Sequence, residues 1–226
     1  MLICKFKKSY PAVYVPHLDT LRQVNAAIRR AGLDVRFSEG FNPHARIFFS
    51  APLPVGTYSE CEYFCVDTDC PPAKFMRRFN AVAPPGLRVC KAAGGAQTSE
   101  VYSLAYAADY VIEFEGIAPR RLKEYAAAAN AAKEYFIEAR GKQTDVRPKI
   151  LELAAKGRRL HTRLRYGNIN LSSARLADDV LAVTGATDAV KVIKKTAYAQ
   201  KGGGLVCFDD VFFTTKYYKK QEVKSL

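Results

Sequence analysis

The stretch Leu2-Ile3-Cys4-Lys5-Phe6-Lys7 opens the series of elements that decides the fold. Its first, third and fifth residues are apolar, and this alternation predicts a half-buried strand. A helix is predicted over residues 17–31, because Leu18, Leu21 and Ile28 lie on one stripe and a glycine follows as a stop signal. The chain therefore begins with a strand and an amphipathic helix.

The rest of the first half continues this pattern. Strands are predicted at residues 47–49 and 61–66, and Pro71-Pro72 opens a second helix. A strand at residues 87–90 completes the order strand, helix, strand, strand, helix, strand, which is that of a split βαβ, or ferredoxin-like, unit. The small residues at 92–99 then predict a linker.

The second half repeats this plan in outline. A strand, a helix, an extended segment, a hairpin, a helix and a late strand are predicted at residues 110–115, 119–130, 134–139, 146–166, 172–183 and 190–193. We therefore predict an α+β fold: two tandem ferredoxin-like (βαββαβ) subdomains with antiparallel sheets, over residues 1–96 and 97–226. The aromatic, lysine-rich end after Gly202-Gly203-Gly204 is predicted to form a further strand or a mobile tail.

The composition is that of a folded protein without a membrane span. Of the 226 residues, 49% are hydrophobic and 12% are aromatic, which excludes the class of disordered chains. No stretch approaches the roughly 20 apolar residues of a transmembrane helix. The charged N-terminus is unlike a signal peptide. We therefore expect a cytoplasmic protein.

The cysteines agree with that compartment. Cys61, Cys65 and Cys70 are spaced like part of a zinc site, but the first two fall in an alternating strand pattern. No second Cys or His pair completes a set of four ligands. We predict structural thiols, with no metal site and no cofactor.

The net charge of +13 comes from 35 basic and 22 acidic residues, and both halves share the excess. A distributed positive field favours polyanionic partners, so we expect nucleic acid, and RNA in particular. The alternatives are a merely soluble basic protein or a protein partner with an acidic face.

The predicted hairpin carries the strongest positive cluster. Strand alternation sends one set of side chains of its second arm to the core and the other set to the opposite face. Acidic residues are scarce at positions 140–166, so we predict that this second face binds phosphate groups. The alternative is an ordinary solvated sheet face. The set consists of Arg159, His161, Arg163 and Arg165.

The most informative loop is residues 38–44, Ser-Glu-Gly-Phe-Asn-Pro-His. It has more turn formers, aromatic surface and hydrogen-bonding side chains than a plain connection needs, and loops on a rigid scaffold often carry binding groups. Its binding candidates are Ser38, Glu39, Phe41, Asn42 and His44. The preceding helix adds His17, Asp19, Arg22 and Arg29, and we expect its arginines to form one rim of a pocket with the loop.

Three roles are open for these residues. His17 and His44, with Asp19 and Glu39, suffice for general acid–base chemistry, including metal-free RNA cleavage by two histidines. The same groups would serve to bind a ligand or RNA. In a purely structural role, Asp19 would help to cap its helix and the histidines would hydrogen-bond within the fold. Which role applies depends on whether the side chains converge.

Several spaced motifs over residues 1–67 identify a family. They are His17-Leu18-Asp19, Arg29-Arg30-Ala31-Gly32-Leu33, Ser38-x-Gly40-Phe41-Asn42-Pro43-His44 and Pro52-Leu53-Pro54-Val55-Gly56. In these motifs the chain resembles the bacterial radical-SAM-linked protein family, a domain family of undetermined function found fused to, or encoded beside, radical SAM proteins. The resemblance implies a radical SAM enzyme as partner and brings no established catalytic residues. The chain itself lacks the Cys-x3-Cys-x2-Cys pattern of radical SAM clusters.

Three functional hypotheses follow. The leading one is a non-catalytic RNA-binding accessory protein that works with a radical SAM enzyme in RNA or ribosome-related modification. The second is a metal-independent RNA-processing endonuclease on tandem ferredoxin-like domains, with His17 and His44 as catalytic candidates. The third is a protein-interaction module for the radical SAM partner that does not bind RNA.

Overall fold

The first half of the computed structural model alternates strands with two amphipathic helices. The structure describes residues 1–95, 100–139 and 141–214. The first half contains β1 (Leu2–Lys8), α1 (His17–Arg30), β2 (Ile47–Phe49), β3 (Thr57–Val66), α2 (Pro72–Val82) and β4 (Leu87–Gly94). A short helix, α3 (Glu100–Ser103), precedes the second half.

The second half begins with a long strand and ends in a short helix. Its elements are β5 (Ala105–Phe114), α4 (Pro119–Ala131), β6 (Phe136–Ala139), β7 (Lys142–Asp145), β8 (Ile150–Lys156), β9 (Arg159–Arg165), α5 (Ser173–Thr184), β10 (Val190–Lys201), β11 (Gly204–Cys207) and α6 (Phe208–Phe212). The residues after the glycine run thus form a strand and then a helix. The predictions for residues 96–99 of the linker and for the end of the chain, residues 215–226, lie outside the described residues.

One sheet unites the two halves. Its order is β4-β1-β3-β10-β5-β9-β8, with β2 paired to β3 and β11 to β10. Every pairing is antiparallel except that of β3 with β10, which is parallel and places Lys194 opposite Ser59. The mixed α and β content is confirmed as a large, mostly antiparallel sheet accompanied by six α-helices in the described residues. The sequence predicted a separate antiparallel sheet in each half. The parallel contact between β3 and β10 instead joins the two halves into one sheet.

Alternate side chains of β1 enter two different cores, as its period of two requires. Cys4 and Phe6 pack with Phe64 of β3 and with apolar residues of α1 and α2. Ile3 belongs to a second cluster, which extends from β3 and α6 through β5 and β9 to α4 and α5. Within it, the rings of Tyr63 and Phe208 lie 5.1 Å apart between centroids, so α6 closes the face of the sheet opposite α1.

A buried ion pair lies where the halves meet. Lys194 of β10 is completely buried, and its Nζ lies 2.9 Å from Oε1 of Glu62 on β3. Ser59 Oγ donates to the same carboxylate oxygen at 2.7 Å, and the Lys194 ammonium sits 3.9 Å from the centre of the Tyr166 ring. Burial alone would lower the pKa of Lys194, but the Glu62 carboxylate, together with smaller contributions from Tyr166, Cys61 and Tyr110, raises that pKa. Lys194 therefore stays charged inside the protein.

None of the helices in the described ranges is long and apolar enough to cross a bilayer.

Removing one partner of the buried pair should destabilise the fold far more than removing both. Lys194→Met leaves the Glu62 carboxylate buried without its cation, which costs about 3–5 kcal/mol of unfolding free energy. Lys194→Met/Glu62→Leu removes both charges and should recover most of that loss. Urea denaturation of the three proteins measures the difference. Equal destabilisation in the single and double variants would contradict the prediction.

Candidate functional site

Residues 36–46 form a two-stranded ribbon, named here the ribbon. Phe37 and Ala45 bridge its two sides, and the backbone N–H of Arg46 donates to the Arg36 carbonyl at 2.9 Å. Gly40 has a φ of +111°, a backbone conformation that favours glycine and allows the chain to reverse there. The segment predicted as a loop is therefore a hydrogen-bonded ribbon with a short tip.

Asp67, just after β3, anchors the base of the ribbon. Its carboxylate accepts a hydrogen bond from Arg36 Nη1 at 2.7 Å and forms an ion pair with Arg46 Nη1 at 2.9 Å. Backbone hydrogen bonds from Arg36 N to Asp67 O and from Asp67 N to Arg46 O reinforce the contact. The Asp67 side chain is only 6% exposed, so two guanidinium groups compensate a nearly buried charge. Asp67 was not singled out in the sequence, because its partners are distant along the chain.

The tip of the ribbon presents polar and aromatic side chains to solvent. Phe41 is fully exposed, and Glu39, Asn42 and His44 are exposed as well. The hydroxyl of Ser38 accepts a hydrogen bond from His44 N at 3.1 Å and lies 3.0 Å from His44 Nδ1. The tip thus offers an aromatic face and hydrogen-bonding groups on a backbone that the ribbon itself holds in place.

Helix α1 contributes one of its two candidate arginines to this site. Arg29 lines a groove of about 160 Å³ together with Phe37 and other residues at the base of the ribbon. Arg22 does not line this groove; it forms an exposed ion pair with Asp19 at 2.7 Å. Asp19 lies in the first turn of α1 and makes this ion pair rather than a capping hydrogen bond.

His17 lies in different surroundings from His44. Its ring meets Phe49 edge to face, with centroids 6.2 Å apart, beside a small cavity that Lys8 and Glu62 also line. Burial lowers the pKa of His17, and the Glu62 carboxylate only partly opposes this. Among the contacts of the described residues the two imidazoles share none. The structure therefore does not assemble the two histidines into one cluster.

The basic face of β9 is largely neutralised by neighbouring strands. Arg163 donates to both carboxylate oxygens of Asp109, at 2.7 and 3.2 Å, and also pairs with Glu152. Arg159 pairs with Glu113 at 2.8 Å. The guanidinium of Arg165 instead stacks 3.7 Å from the centre of the Tyr106 ring. His161, which is exposed, completes this face.

Most of these acidic partners come from β5, which is distant from β9 along the chain. Arg163 and Asp109, for example, are 54 residues apart in the sequence. The scarcity of acidic residues at positions 140–166 therefore did not reflect the electrostatics of the folded sheet. The alternation itself is found: Leu160, Thr162 and Leu164 are buried, whereas the basic set lies on the other face.

None of the six cysteines forms a disulfide. Cys4, Cys61 and Cys65 are buried in β1 and β3, and burial raises the pKa of Cys61 to about 12. Within the described part of the chain, no three His, Cys, Asp or Glu side chains converge as a set of metal ligands.

A family model described as "Uncharacterized protein conserved in bacteria (DUF2344)" matches residues 2–191. The chain belongs to this family. Membership in DUF2344 covers both halves of the sheet and the ribbon; the radical SAM partnership stays a prediction from the resemblance described above. No curated protein matches the chain significantly. A crystal structure of an unknown protein from Galdieria sulphuraria aligns with 85% of this chain and 96% of its own, at 9% identity and a TM-score of 0.22, which is too low for a conclusion about the fold.

Loss of the Asp67 carboxylate should loosen the ribbon. Asp67→Ala leaves Arg36 and Arg46 without their shared anchor and should cost about 1–3 kcal/mol of unfolding free energy. The matched control is Asp69→Ala, because exposed Asp69 also pairs with Arg36, at 2.7 Å; it should cost less than about 0.5 kcal/mol. Hydrogen exchange at the Ser38 and His44 amides reports the ribbon directly, and unchanged exchange in Asp67→Ala would refute the anchoring role.

The lowered pKa of His17 predicts a pH dependence of stability. The unfolded chain takes up a proton as the pH falls below about 6.5, whereas the folded protein resists it until its lower pKa. The contribution of neutral His17 to the unfolding free energy should therefore be fully present above about pH 6.5. It should decline as the pH falls from about 6.5 towards the lower pKa of the folded protein. His17→Gln should flatten this part of the profile in urea denaturation between pH 5 and 8. The exposed His161→Gln serves as control, and a wild-type-like decline in His17→Gln would contradict the assignment.

Proposed function

We propose that this protein is a non-catalytic RNA-binding accessory protein that presents its RNA to a radical SAM enzyme. The observation that carries the proposal is Phe41, a fully exposed aromatic ring at the tip of the anchored ribbon. Unstacked bases of single-stranded RNA stack on such rings, and the energy of each stack is about 1–3 kcal/mol. A rigid support reduces the entropy lost when the base binds.

Groups beside Phe41 support base recognition. Asn42 offers an amide and His44 an imidazole for the edges of a splayed base, and both are exposed at the tip. Arg29 lines the groove at the base of the ribbon, where a phosphate of the same nucleotide strand would pass. The net charge of +13 also attracts the negatively charged nucleotide strand to the protein.

The contribution of β9 is revised within this proposal. The carboxylates of Asp109, Glu113 and Glu152 already compensate Arg159 and Arg163. Arg165 has no carboxylate partner among the described residues and stacks on Tyr106. We therefore assign phosphate contacts on this face to Arg165 and exposed His161 rather than to all three arginines.

The partner and the fold family enter the proposal on separate grounds. The radical SAM enzyme, and RNA or ribosome-related modification as its setting, rest on the resemblance of the motifs over residues 1–67. The strand orders β4-β1-β3-β2 in the first half and β10-β5-β9-β8 in the second support two ferredoxin-like units within the shared sheet. The domain division at residues 96 and 97 remains a prediction.

The alternative functions differ in their support. An endonuclease with two catalytic histidines needs both imidazoles at one phosphate, and His17 and His44 lie in separate surroundings. A protein-interaction module would also use an exposed Phe41, so the experiment has to separate it from RNA binding.

Replacing the ring of Phe41 should weaken RNA binding. With a labelled single-stranded RNA in fluorescence anisotropy, Phe41→Ala should lose about five- to 150-fold in affinity, the equivalent of about 1–3 kcal/mol of base stacking. Phe41→Tyr keeps the aromatic face and should bind within about twofold of wild type. Val55→Ala, which shortens another exposed apolar side chain, is the control for nonspecific effects.

Two outcomes would overturn the proposal. Wild-type protein that fails to bind single-stranded RNA at low salt excludes RNA binding. Equal affinity of Phe41→Ala and wild type excludes the ribbon as the binding element. Nuclease-resistant co-purification with a radical SAM protein that requires Phe41, without RNA affinity, would establish the protein-interaction module instead.

A further inference from the structure

Two pairs of cations face each other across β1 and β4. Lys5 lies opposite Lys91, and Lys7 lies opposite Arg88, in antiparallel register. Like charges directly opposite each other destabilise a sheet. Asp209 of α6 compensates the first pair, with ion pairs of 2.9 Å to Lys5 and 2.7 Å to Lys91. Within the described ranges, no carboxylate lies within ion-pair distance of Lys7 or Arg88.

This uncompensated pair lines a cleft of about 580 Å³ where the two halves meet. The β10 side of the cleft contributes Lys191, whose Nζ lies 5.0 Å from the centre of the Tyr58 ring. Lys7, Arg88 and Lys191 are all exposed. The cleft is within the size range of small-ligand sites and combines three cations with an aromatic ring.

The other charged residues of the cleft are already engaged. Glu60 lines it and pairs with Lys195. Lys8 lines it as a nearly buried side chain, and its Nζ donates to the Val15 carbonyl at 2.7 Å. The uncommitted charge in the cleft is therefore positive.

Hydrogen bonds and close backbone packing hold the segments around these cations in place. Ser9 N donates to the Gly86 carbonyl at 2.8 Å, and Gly86 has a φ of +83° with the Ser9 carbonyl oxygen only 2.4 Å from where a Cβ would stand. The β3–β10 pairing, which includes Tyr58 with Ile193, holds the opposite side. A ligand in the cleft would thus meet cations from both halves without a rearrangement of the sheet.

We propose that this cleft binds a phosphate group, with Lys7, Arg88 and Lys191 as its cationic ligands and Tyr58 beside the attached sugar or base. The phosphate supplies the countercharge that Asp209 supplies to the neighbouring pair. It belongs either to the backbone of RNA, in which case the inference rests on the proposed function, or to a free phosphorylated small molecule. The shared chemistry is the phosphate, and no residue of the cleft overlaps with the ribbon.

The test compares two variants that remove the same charge. Lys7→Gln/Arg88→Gln removes the facing cations of the cleft, and Arg121→Gln/Lys123→Gln removes two exposed cations of α4 as the control. Pyrophosphate is titrated by calorimetry and single-stranded RNA by anisotropy, at one ionic strength. The cleft variant should lose at least about tenfold in pyrophosphate affinity, because charge-assisted hydrogen bonds are lost. The control should change by less than about twofold, since its charges lie outside the cleft.

The thermal midpoint is a second readout, and it should rise in the variant whose phosphate affinity falls. Removing the repulsion between Lys7 and Arg88 should raise the thermal midpoint of the cleft variant. Lys7→Glu, which turns the pair into an attractive one, should raise it further and also abolish pyrophosphate binding. Both variants are therefore expected to be folded proteins that bind less phosphate.

The outcomes separate the two sources and the two proposals. Loss of both pyrophosphate and RNA affinity, with competition between them, assigns the cleft to the RNA backbone. Loss of pyrophosphate affinity alone assigns it to a small phosphorylated molecule. Pyrophosphate binding that depends on the cleft in a protein that does not bind RNA overturns the proposed function but supports the cleft. Wild-type affinity in the cleft variant, or no pyrophosphate binding by wild type, overturns the phosphate site.

Discussion

The position of β10 between the two halves is the constraint on which the remaining structure depends. It pairs with β5 along most of its length, yet meets β3 through only three residue pairs. The buried Lys194–Glu62 pair lies beside this short parallel contact, with Ser59 and Tyr166 around it. Because a buried charge without its partner is costly, this pair also penalises any register in which Lys194 and Glu62 are separated. The cleft at the same junction takes its shape from this pairing.

The ribbon combines exposed candidate residues at its tip with a base that ion pairs and hydrogen bonds hold in place. Its tip is exposed, but Asp67 holds both sides of its base through side-chain and backbone bonds. The resulting preorganisation would lower the entropic cost of ordering Phe41 against a ligand. In the proposed function, positioning and recognition would thus be carried by different residues, on different elements.

Net charge is a poor guide to which cations of this protein are free of a carboxylate partner. Arg159 and Arg163 are the most conspicuous cations by position on a strand, and neighbouring carboxylates compensate both. Lys7 and Arg88 attract no attention in the sequence, yet they face each other across two strands without a countercharge in the described residues. The distribution of ion pairs, rather than the excess of +13, distinguishes structural from available charge.

Much of the local structure could be predicted from the sequence, because it depends on residues that are neighbours along the chain. Alternation predicted β1 and both faces of β9. The apolar stripe predicted α1, although Leu18 of that stripe is exposed and Val24 and Ala27 are buried with Ile28 instead. Gly40 with Pro43 marked the turn that became the ribbon tip. The candidate residues Ser38, Phe41, Asn42 and His44 do share one exposed tip, and Arg29 lies at its base. What only the tertiary structure decided are contacts between distant segments: the parallel β3–β10 pairing, the anchoring of the ribbon by Asp67, the separation of His17 from His44, and the carboxylates of β5 beside β9. Strand order sets these contacts, and periodicity within a segment carries no information about which other segment will lie beside it.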